Sequence, residues 1–343
     1  MKKCILFFVL IWTAFVSLDA QIRYDAEPPA AGIQIHDAAK VLYITCGNKL
    51  AVFNIAVPEK PVLTAEISLS HFPQSLALDV KNNVLYAADS VSVKVIDISK
   101  PDQPELRDRD IRIDGSPVDL MLRNDVLWIA ARRGGLWEVK DSKPVRKSLP
   151  WNSKNPEWIR SATALQNGGT AVCGLDAVLL TVKTAPDAGP ENVLIENMSA
   201  GTPRRIREGI TPGTYYVANG FCGYGKVILT LPDSKDRQKG IAVQKQIWTE
   251  NLNRFSSYGS YVFDVMELSG NVLLLAAGEI GIVTVIDGKL NNDCGELNWG
   301  NINGFIRGKG NLVYAVDQLS GLCVLDVTDP EKIKVLERIK LVK

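Results

Sequence analysis

The chain has 343 residues, 46% apolar and 22% charged, with a formal net charge of +1. That length suits several compact domains or one large all-β array. The near-neutral balance lacks the strong positive field that nucleic acid or an anionic membrane surface calls for, so neither is expected as a partner.

The first residues read as a leader rather than as part of a fold. Lys2 and Lys3 precede an apolar run, Cys4 to Leu18, broken only by Thr13 and Ser17, and Ala20 supplies a small residue before Gln21. This is the pattern of a secretory signal peptide over residues 1–20. The run falls short of the ~20 residues a spanning helix needs, and no cysteine follows it to carry a lipid. The expectation is a secreted, periplasmic or cell-surface protein with no transmembrane anchor after cleavage. Residues 21–31 form an N-terminal segment, and the fold occupies 32–343.

From there the sequence repeats. An apolar triplet recurs after a turn: Val41-Leu42-Tyr43, Val84-Leu85-Tyr86, Val126-Leu127-Trp128, Thr170-Ala171-Val172, Thr214-Tyr215-Tyr216, Val272-Leu273-Leu274 and Leu312-Val313-Tyr314. Their last residues are 43, 42, 44, 44, 58 and 40 positions apart. A period of about 40–45 is that of a propeller blade of four strands. Each unit has the same internal order. A first strand ends in a turn rich in Asn, Gly or Asp, such as Asn82-Asn83, Asn124-Asp125 or Gly310-Asn311, residues that tolerate positive φ in hairpins. The triplet opens the second strand. A strongly apolar third strand follows, as at Val93 to Ile98 or Leu322 to Val327, because both its faces meet neighbouring blades. Proline then punctuates at Pro58, Pro101, Pro144 and Pro330 ahead of a polar fourth strand such as Glu105 to Arg112, where charge protects an exposed edge. The predicted fold is an all-β, seven-bladed β-propeller with four antiparallel strands per blade.

Two stretches carry a family resemblance. Val95-Ile96-Asp97-Ile98-Ser99-Lys100-Pro101 and Val324-Leu325-Asp326-Val327-Thr328-Asp329-Pro330 resemble the LVIVD repeat. That family comprises bacterial and archaeal exported or cell-surface propeller-type repeats. The resemblance is good in units two and seven, fair in unit one and degraded in units three to six. It implies the fold and the location, and it brings no catalytic residue with it.

Chemistry is sparse. The only histidines, His36 and His71, exclude a histidine metal cluster and leave a His-assisted nucleophile two positions to choose from. No Walker loop and no glycine-rich βαβ turn is present, so no cofactor and no metal is expected. Asp119, Glu208 and Asp264 fall in or near first strands and are candidates to converge in the central channel. Asp287, Asn291 and Asp293 make an oxygen-rich turn without the full calcium-loop pattern. Of the five cysteines after the leader, Cys46 with Cys323 and Cys222 with Cys294 are conceivable pairs, although connectivity is not readable from sequence. The bland alternative is that most of them are small apolar fillers of strands.

The aromatic residues are more informative. Loops between blades, and between second and third strands, share one face, here called the top. Trp151, Trp158, Trp299, Phe255 and Tyr258 fall in interblade loops. Phe221 and Tyr224 fall in a second-to-third-strand loop, and Arg132, Arg133 and Arg254 share the face. Trp, Tyr and Arg dominate interface hot spots. The reading these residues favour is a non-catalytic module that binds an extracytoplasmic protein or glycan through the top face. The alternatives are a channel-mouth hydrolase or lactonase using carboxylates, with or without a metal, and a structural part of an envelope assembly.

Overall fold

Each apolar triplet lies in the second strand of a four-stranded antiparallel sheet: Val41–Cys46, Val84–Ala88, Val126–Arg132, Thr170–Cys173, Thr214–Ala218, Val272–Ala276 and Leu312–Asp317. The computed structural model describes residues 31–140, 142–150, 157–165, 169–175, 177–183, 190–195, 203–220, 223–230, 242–248, 261–291, 301–317 and 320–341. Within them seven such sheets form, each taking its four strands consecutively from the chain. The protein is a seven-bladed β-propeller. No helix among the described residues is long and apolar enough to cross a membrane. The expected leader and most of the segment to residue 31 lie outside the described residues.

The tight turns sit where their residues allow. Asn83, Asn124, Asp125, Gly270 and Gly310 close first-to-second-strand turns with φ between 40° and 64°, a region that asparagine, aspartate and glycine tolerate. Second strands are the most buried, and those of blades 1, 5 and 7 are buried throughout. The fourth strand of blade 7 alternates exposed and half-buried residues, as an outer edge should.

Each blade interface holds its own apolar cluster. Alternate residues of a second strand point to opposite neighbours. Tyr43 packs toward blade 2 and Tyr314 toward blade 1, while Tyr215 and Tyr216 point toward blades 4 and 6 respectively. This alternation corrects the repeat alignment in blade 4. There Ala171 and Cys173 face blade 5, while Val172 faces blade 3, so Ala171, not Val172, is the counterpart of Tyr216. A slip of one residue turns every side chain to the other face.

The ring closes without strand exchange, because blade 1 is built wholly from the N-terminal end and blade 7 from the C-terminal end. The seam is a shared core that includes Ile33, Leu42, Ile44, Val316, Leu322 and Leu341. The Tyr314 hydroxyl adds a hydrogen bond to the Pro58 carbonyl (2.9 Å). Blades 1 and 2 repeat the device, with Tyr43 donating to the Pro101 carbonyl (2.8 Å). The loop that presents Pro101 is shaped by an Asx turn, in which the Ser99 amide donates to Asp97 (2.8 Å), and Thr328 donates likewise to Asp326 in blade 7 (2.9 Å). The motif therefore has a structural job, which is to set the turn that carries the proline.

Three local expectations need correcting. Pro144 lies inside the fourth strand of blade 3 (Lys143–Lys147), not before it; the strand is at the sheet edge, where a missing donor costs little. The fourth strand of blade 2 is only Glu105–Leu106, with a single later bridge between Val93 and Ile111. Asp110, in the intervening coil, instead takes a hydrogen bond from Lys94 (2.6 Å). Cys46 and Cys323 form no disulfide. Cys46 packs in the seam with blade 7, whereas Cys323 faces blade 6 on the other side of its sheet. Both are buried, as is Cys173, and burial pushes the Cys46 and Cys323 thiols up to about 11. Cys222 and Cys294 lie outside the described residues.

Candidate functional site: the central channel and its mouth

The first strands surround the axis. One repeat position in them carries Gly32, Ser75, Asp119, Ser161, Arg205, Asp264 and Gly304, identified by pairing with equivalent second-strand residues such as Ala88, Ala130, Cys173, Ala218 and Ala276. In blades 2 to 6 these side chains form a polar girdle. Asp119 accepts from the Ser75 hydroxyl (2.6 Å) and the Leu120 amide (3.0 Å) on one oxygen. Its other oxygen accepts from the Ser161 hydroxyl (2.6 Å) and the Ala162 amide (3.2 Å). Three blades thus meet on one carboxylate.

Asp264 has a different environment. It is fully buried and receives Arg207 through two nitrogens (2.7 and 2.6 Å) and Arg205 through one (3.0 Å). Burial pushes its carboxyl up, but the Arg207 and Arg205 charges and their hydrogen bonds outweigh that and hold it below the usual carboxylate range. Arg205 also approaches Asp119 (3.9 Å). Its own burial disfavours the charge, and Asp264 and then Asp119 restore it, leaving its pKa raised. The two arginines come from blade 5 and the carboxylate from blade 6, so the pairing spans a blade interface.

Below the girdle is a cavity of about 300 Å³, lined by first-strand residues that include Gln34, Ala77, Met121, Thr163, Arg207 and Ile306. Above it, toward the top face, is a recess of about 20 Å³ bounded by Gln74, Val118, Arg132, Arg160, Arg204 and Phe263. Asp119 and Arg205 line both spaces, so the girdle is the waist between them. The recess again follows one repeat position. Gln74, Arg160, Arg204 and Phe263 each precede a first strand, and each donates its amide to the end of the adjacent second strand (2.7 to 2.9 Å).

The three acidic candidates do not make a common site. Asp119 and Asp264 meet through Arg205, but Glu208 alternates away from Arg207 in its strand and lies toward Tyr215. That hydroxyl is pushed up to about 12 by burial and then by Glu208. Among the described residues no group of three or more metal-ligating side chains forms. Asp287 closes the two-residue turn of blade 6 with Gly288 and takes a hydrogen bond from Asn271 (3.1 Å). Asn291 lies in the short fourth strand that follows, and Asp293 is outside the described residues. His36 ends a first strand, buried, and accepts from the Ala39 amide (3.3 Å). His71 is exposed in an interblade loop, 3.5 Å from Asp89.

The aromatic face divides. Trp158 is half-buried on the top side between blades 3 and 4, and the exposed Arg133 guanidinium lies over its ring at 4.9 Å. Arg132 lines the mouth. Tyr224 is a correction: it begins the third strand Tyr224–Thr230 rather than lying in a loop, and it is 6% exposed in the core between blades 5 and 6. The Gly223 turn (φ 79°), closed by the Asn219 amide on the Gly223 carbonyl, starts the strand early. Trp151, Phe221, Arg254, Phe255, Tyr258 and Trp299 lie outside the described residues. Sequence reasoning missed Arg160, Arg204, Arg205 and Arg207. Once the blades are aligned on Ala88, Cys173, Ala218 and Ala276, Arg160 and Arg204 fall in the column of Gln74, Arg205 falls in that of Ser75 and Asp264, and Arg207 lies two residues further along the strand.

No family model and no curated protein matches the chain. Solved structures do. Virginiamycin B lyase from Staphylococcus aureus is similar with a TM-score of 0.62 at 12% identity, over 86% of this chain and 93% of that one. A putative 6-phosphogluconolactonase from Bacteroides fragilis gives 0.62 at 14% identity, over 92% and 95%. The β-propeller domain of Cps50 (Swd1) from Myceliophteria thermophila gives 0.60 at 11%, over 90% and 96%. A lyase, a putative lactonase and a domain of the Swd1 type share this fold, so the likeness establishes the propeller and leaves function to the site.

Proposed function

We propose that this chain is an exported, non-catalytic binding module that receives an extracytoplasmic protein or glycan on its top face, around the channel mouth. The observation that carries the reading is how the channel carboxylates are used. Asp119 has four donors across three blades, and Asp264 is clamped by two arginines. A general base needs a lone pair within reach of a substrate proton and a pKa near the working pH. Asp264 is held in the opposite direction, and Asp119 is a joint between blades. The mouth is bounded by Arg132, Arg160 and Arg204, and beside it the exposed Arg133 stacks on Trp158, residue types suited to recognition.

The test is a binding assay paired with a turnover assay. Immobilised protein is probed with arrayed acidic and neutral glycans and with the secreted and surface proteins of its host, and lactone and ester substrates are followed for hydrolysis. A bound ligand whose affinity drops at least tenfold in Arg133→Ala and Trp158→Ala, with no turnover, supports the reading. Turnover abolished by Asp119→Asn would replace it with the hydrolase.

A further inference from the structure

Tyr314, Tyr43 and Tyr86 form a series. Each ends the apolar triplet of a second strand and packs toward the next blade. The first two meet a proline turn of that next blade and donate to the Pro58 and Pro101 carbonyls. The two turns are alike. Ile55-Ala56-Val57-Pro58-Glu59-Lys60-Pro61 and Ile98-Ser99-Lys100-Pro101-Asp102-Gln103-Pro104 share a proline, an acidic residue directly after it and a second proline. Each is closed by the same bond, from the Lys60 amide to the Val57 carbonyl (3.0 Å) or from the Gln103 amide to the Lys100 carbonyl (2.9 Å). Both are β-turns with proline at the second position. The acidic residue sits near the tyrosine in each case: burial, and then Glu59 or Asp102, raise the pKa of Tyr314 and Tyr43.

Tyr86 meets no such turn. The third strand of blade 3 ends at Lys140 and its fourth begins at Lys143, so no loop overhangs, and Pro144 is drawn into the strand. Beside Tyr86 there is instead a cleft of about 450 Å³. The Tyr86 hydroxyl has no hydrogen-bond partner among the described residues. One wall is apolar, from Ile111, Leu122, Val139 and Pro144. The cleft opens to solvent on the side opposite the top face, since Asn82, Asp125 and Ser142 in its turns and Arg107, Arg109 and Arg112 along its rim are all exposed. Its charges are unequally used. Asp79 accepts from Asn82 (3.1 and 2.8 Å), Asp110 from Ser92 and Lys94, and Asp125 from Lys81. Arg107 pairs with Asp97 (2.9 Å), whereas Arg109 and Arg112 have no ion pair among the described residues.

We infer that the cleft between blades 2 and 3 receives a proline turn from a partner protein. The guest is a β-turn with Pro-Asp or Pro-Glu at its second and third positions. Its prolyl carbonyl accepts from Tyr86, and its carboxylate meets Arg109 and Arg112. This is a second surface, independent of the top-face reading. The same repeat position takes this turn at the two preceding interfaces, the unpaired arginines match its acidic residue, and the apolar wall matches its ring. The volume lies in the range of pre-formed ligand sites, about 300–1,000 Å³, which suits a turn rather than a folded surface. A turn stiffened by proline loses little freedom on docking. An inorganic anion would engage the arginines and leave Tyr86 and the wall unused.

The probe is a labelled cyclic peptide that presents Lys100-Pro101-Asp102-Gln103, titrated against the purified protein by fluorescence anisotropy. Alanine for its proline, or asparagine for its aspartate, is expected to weaken binding at least threefold, the second effect shrinking at high salt. Tyr86→Phe should lower the affinity about three- to tenfold, the worth of one hydrogen bond. Arg109→Ala combined with Arg112→Ala should lower it at least threefold, and Arg133→Ala on the top face should leave it unchanged. All these variants should keep the parent melting temperature, because the Tyr86 hydroxyl and the two arginines have no partner to lose. Absence of binding, binding indifferent to the proline, or an affinity unchanged in Tyr86→Phe overturns the inference. So does a loss of melting temperature in Tyr86→Phe equal to that in Tyr43→Phe, since the hydroxyl would then already be tied. Displacement of the peptide by inorganic phosphate as effectively as by unlabelled peptide would replace the turn site with a simple anion site.

Discussion

On one side of the ring, blades 7, 1 and 2 are tied by neutral groups: Tyr314 to the Pro58 carbonyl and Tyr43 to the Pro101 carbonyl. On the other side, blades 5, 6 and 7 are tied by charges. Arg205 and Arg207 hold Asp264, Arg207 also donates to the Phe305 carbonyl (2.8 Å), and Arg307 donates to the carbonyls of Glu267 and Leu268 (2.9 and 3.1 Å). Tyr216, which occupies the repeat position of Tyr43 and Tyr314, finds a carboxylate there, bonding Glu267 at 3.2 Å. The cause is local. Blade 6 turns between its third and fourth strands through only Asp287 and Gly288, so no proline loop overhangs to offer a carbonyl. The same wedge between blades is therefore closed by two kinds of chemistry, and they differ in how they fail.

The charged side should fail hardest. Asp264→Ala leaves Arg205 and the partly buried Arg207 without the carboxylate they share, Arg205 keeping only the longer approach to Asp119. Removing one partner of a buried pair costs about 3–5 kcal/mol, so a large drop in the urea midpoint is expected. Asp264→Asn keeps the shape and some hydrogen bonds and should fall between the two. A loss under about 1 kcal/mol for Asp264→Ala would mean that water reaches these arginines and that the contrast between the two sides is empty.

Acid sharpens the contrast. The folded-state pKa of Asp264 is depressed, so its contribution is complete above the unfolded value, about 3.9, and is lost as pH falls through the lower folded value. Stability measured by urea denaturation should therefore decline below about pH 4. The decline should be shallower in Asp264→Asn and unchanged in Tyr43→Phe. Some slope must remain in every variant, because Asp97 is drawn down to about 2 by the Ser99 amide and hydroxyl and then Arg107, and Asp326 is lowered by Thr328. Equal slopes in Asp264→Asn and the parent would place the acid sensitivity in those surface turns instead.

The repeat that builds the neutral side was legible in the sequence, though not its tyrosine ties; on the charged side Asp264 was a channel candidate and its arginines were missed. The blade period stands out because the blades repeat the same turn and apolar triplet, with a proline after the third strand in blades 1, 2 and 7. The Asx-and-proline motif is intact in blades 2 and 7, blade 1 keeps a version of it with the Ala56 amide on Asn54 (2.8 Å), and the proline carbonyls that the tyrosines use are those of blades 1 and 2. In blade 4 the alternation is hidden, since Thr170, Ala171 and Val172 all suit either face of a doubly packed strand, and the alignment slipped by one. That slip concealed the two neighbouring columns that hold Ser161 and Arg160. Isolated arginines in polar stretches also read as solvated, whereas Arg205 and Arg207 are drawn inward by a carboxylate 57 to 59 residues away. Pairing over that distance depends on which blades become neighbours and on the exact register. Of the aromatic face, Trp158 and Arg133 were each expected on the top side without their stacking being foreseen, while Tyr224 was not distinguishable from a loop residue between glycines.

The smallest expected effect tests the neutral ties themselves. Tyr314→Phe deletes one hydroxyl at the seam and leaves the ring in place. The Pro58 carbonyl it served lies in an exposed turn where water can replace it, so the cost should be that of one ordinary hydrogen bond, about 0.5–1.5 kcal/mol. Tyr43→Phe should cost the same, because its Pro101 acceptor is also in a turn. The two differ in what else joins their blades. Blades 1 and 2 are linked by continuous chain, whereas among the described residues blades 7 and 1 meet through side-chain packing, this bond and a weak one from the Cys46 thiol to the Asp317 carbonyl (3.6 Å). If the seam is the weak point of the ring, Tyr314→Phe should raise amide hydrogen exchange in Val41–Cys46 and Leu312–Asp317, while Tyr43→Phe leaves those strands protected. Equal exchange in both variants would mean that the shared core of blades 1 and 7 closes the ring without help from the hydroxyl, and that the tyrosines set blade orientation more than they hold the ends together.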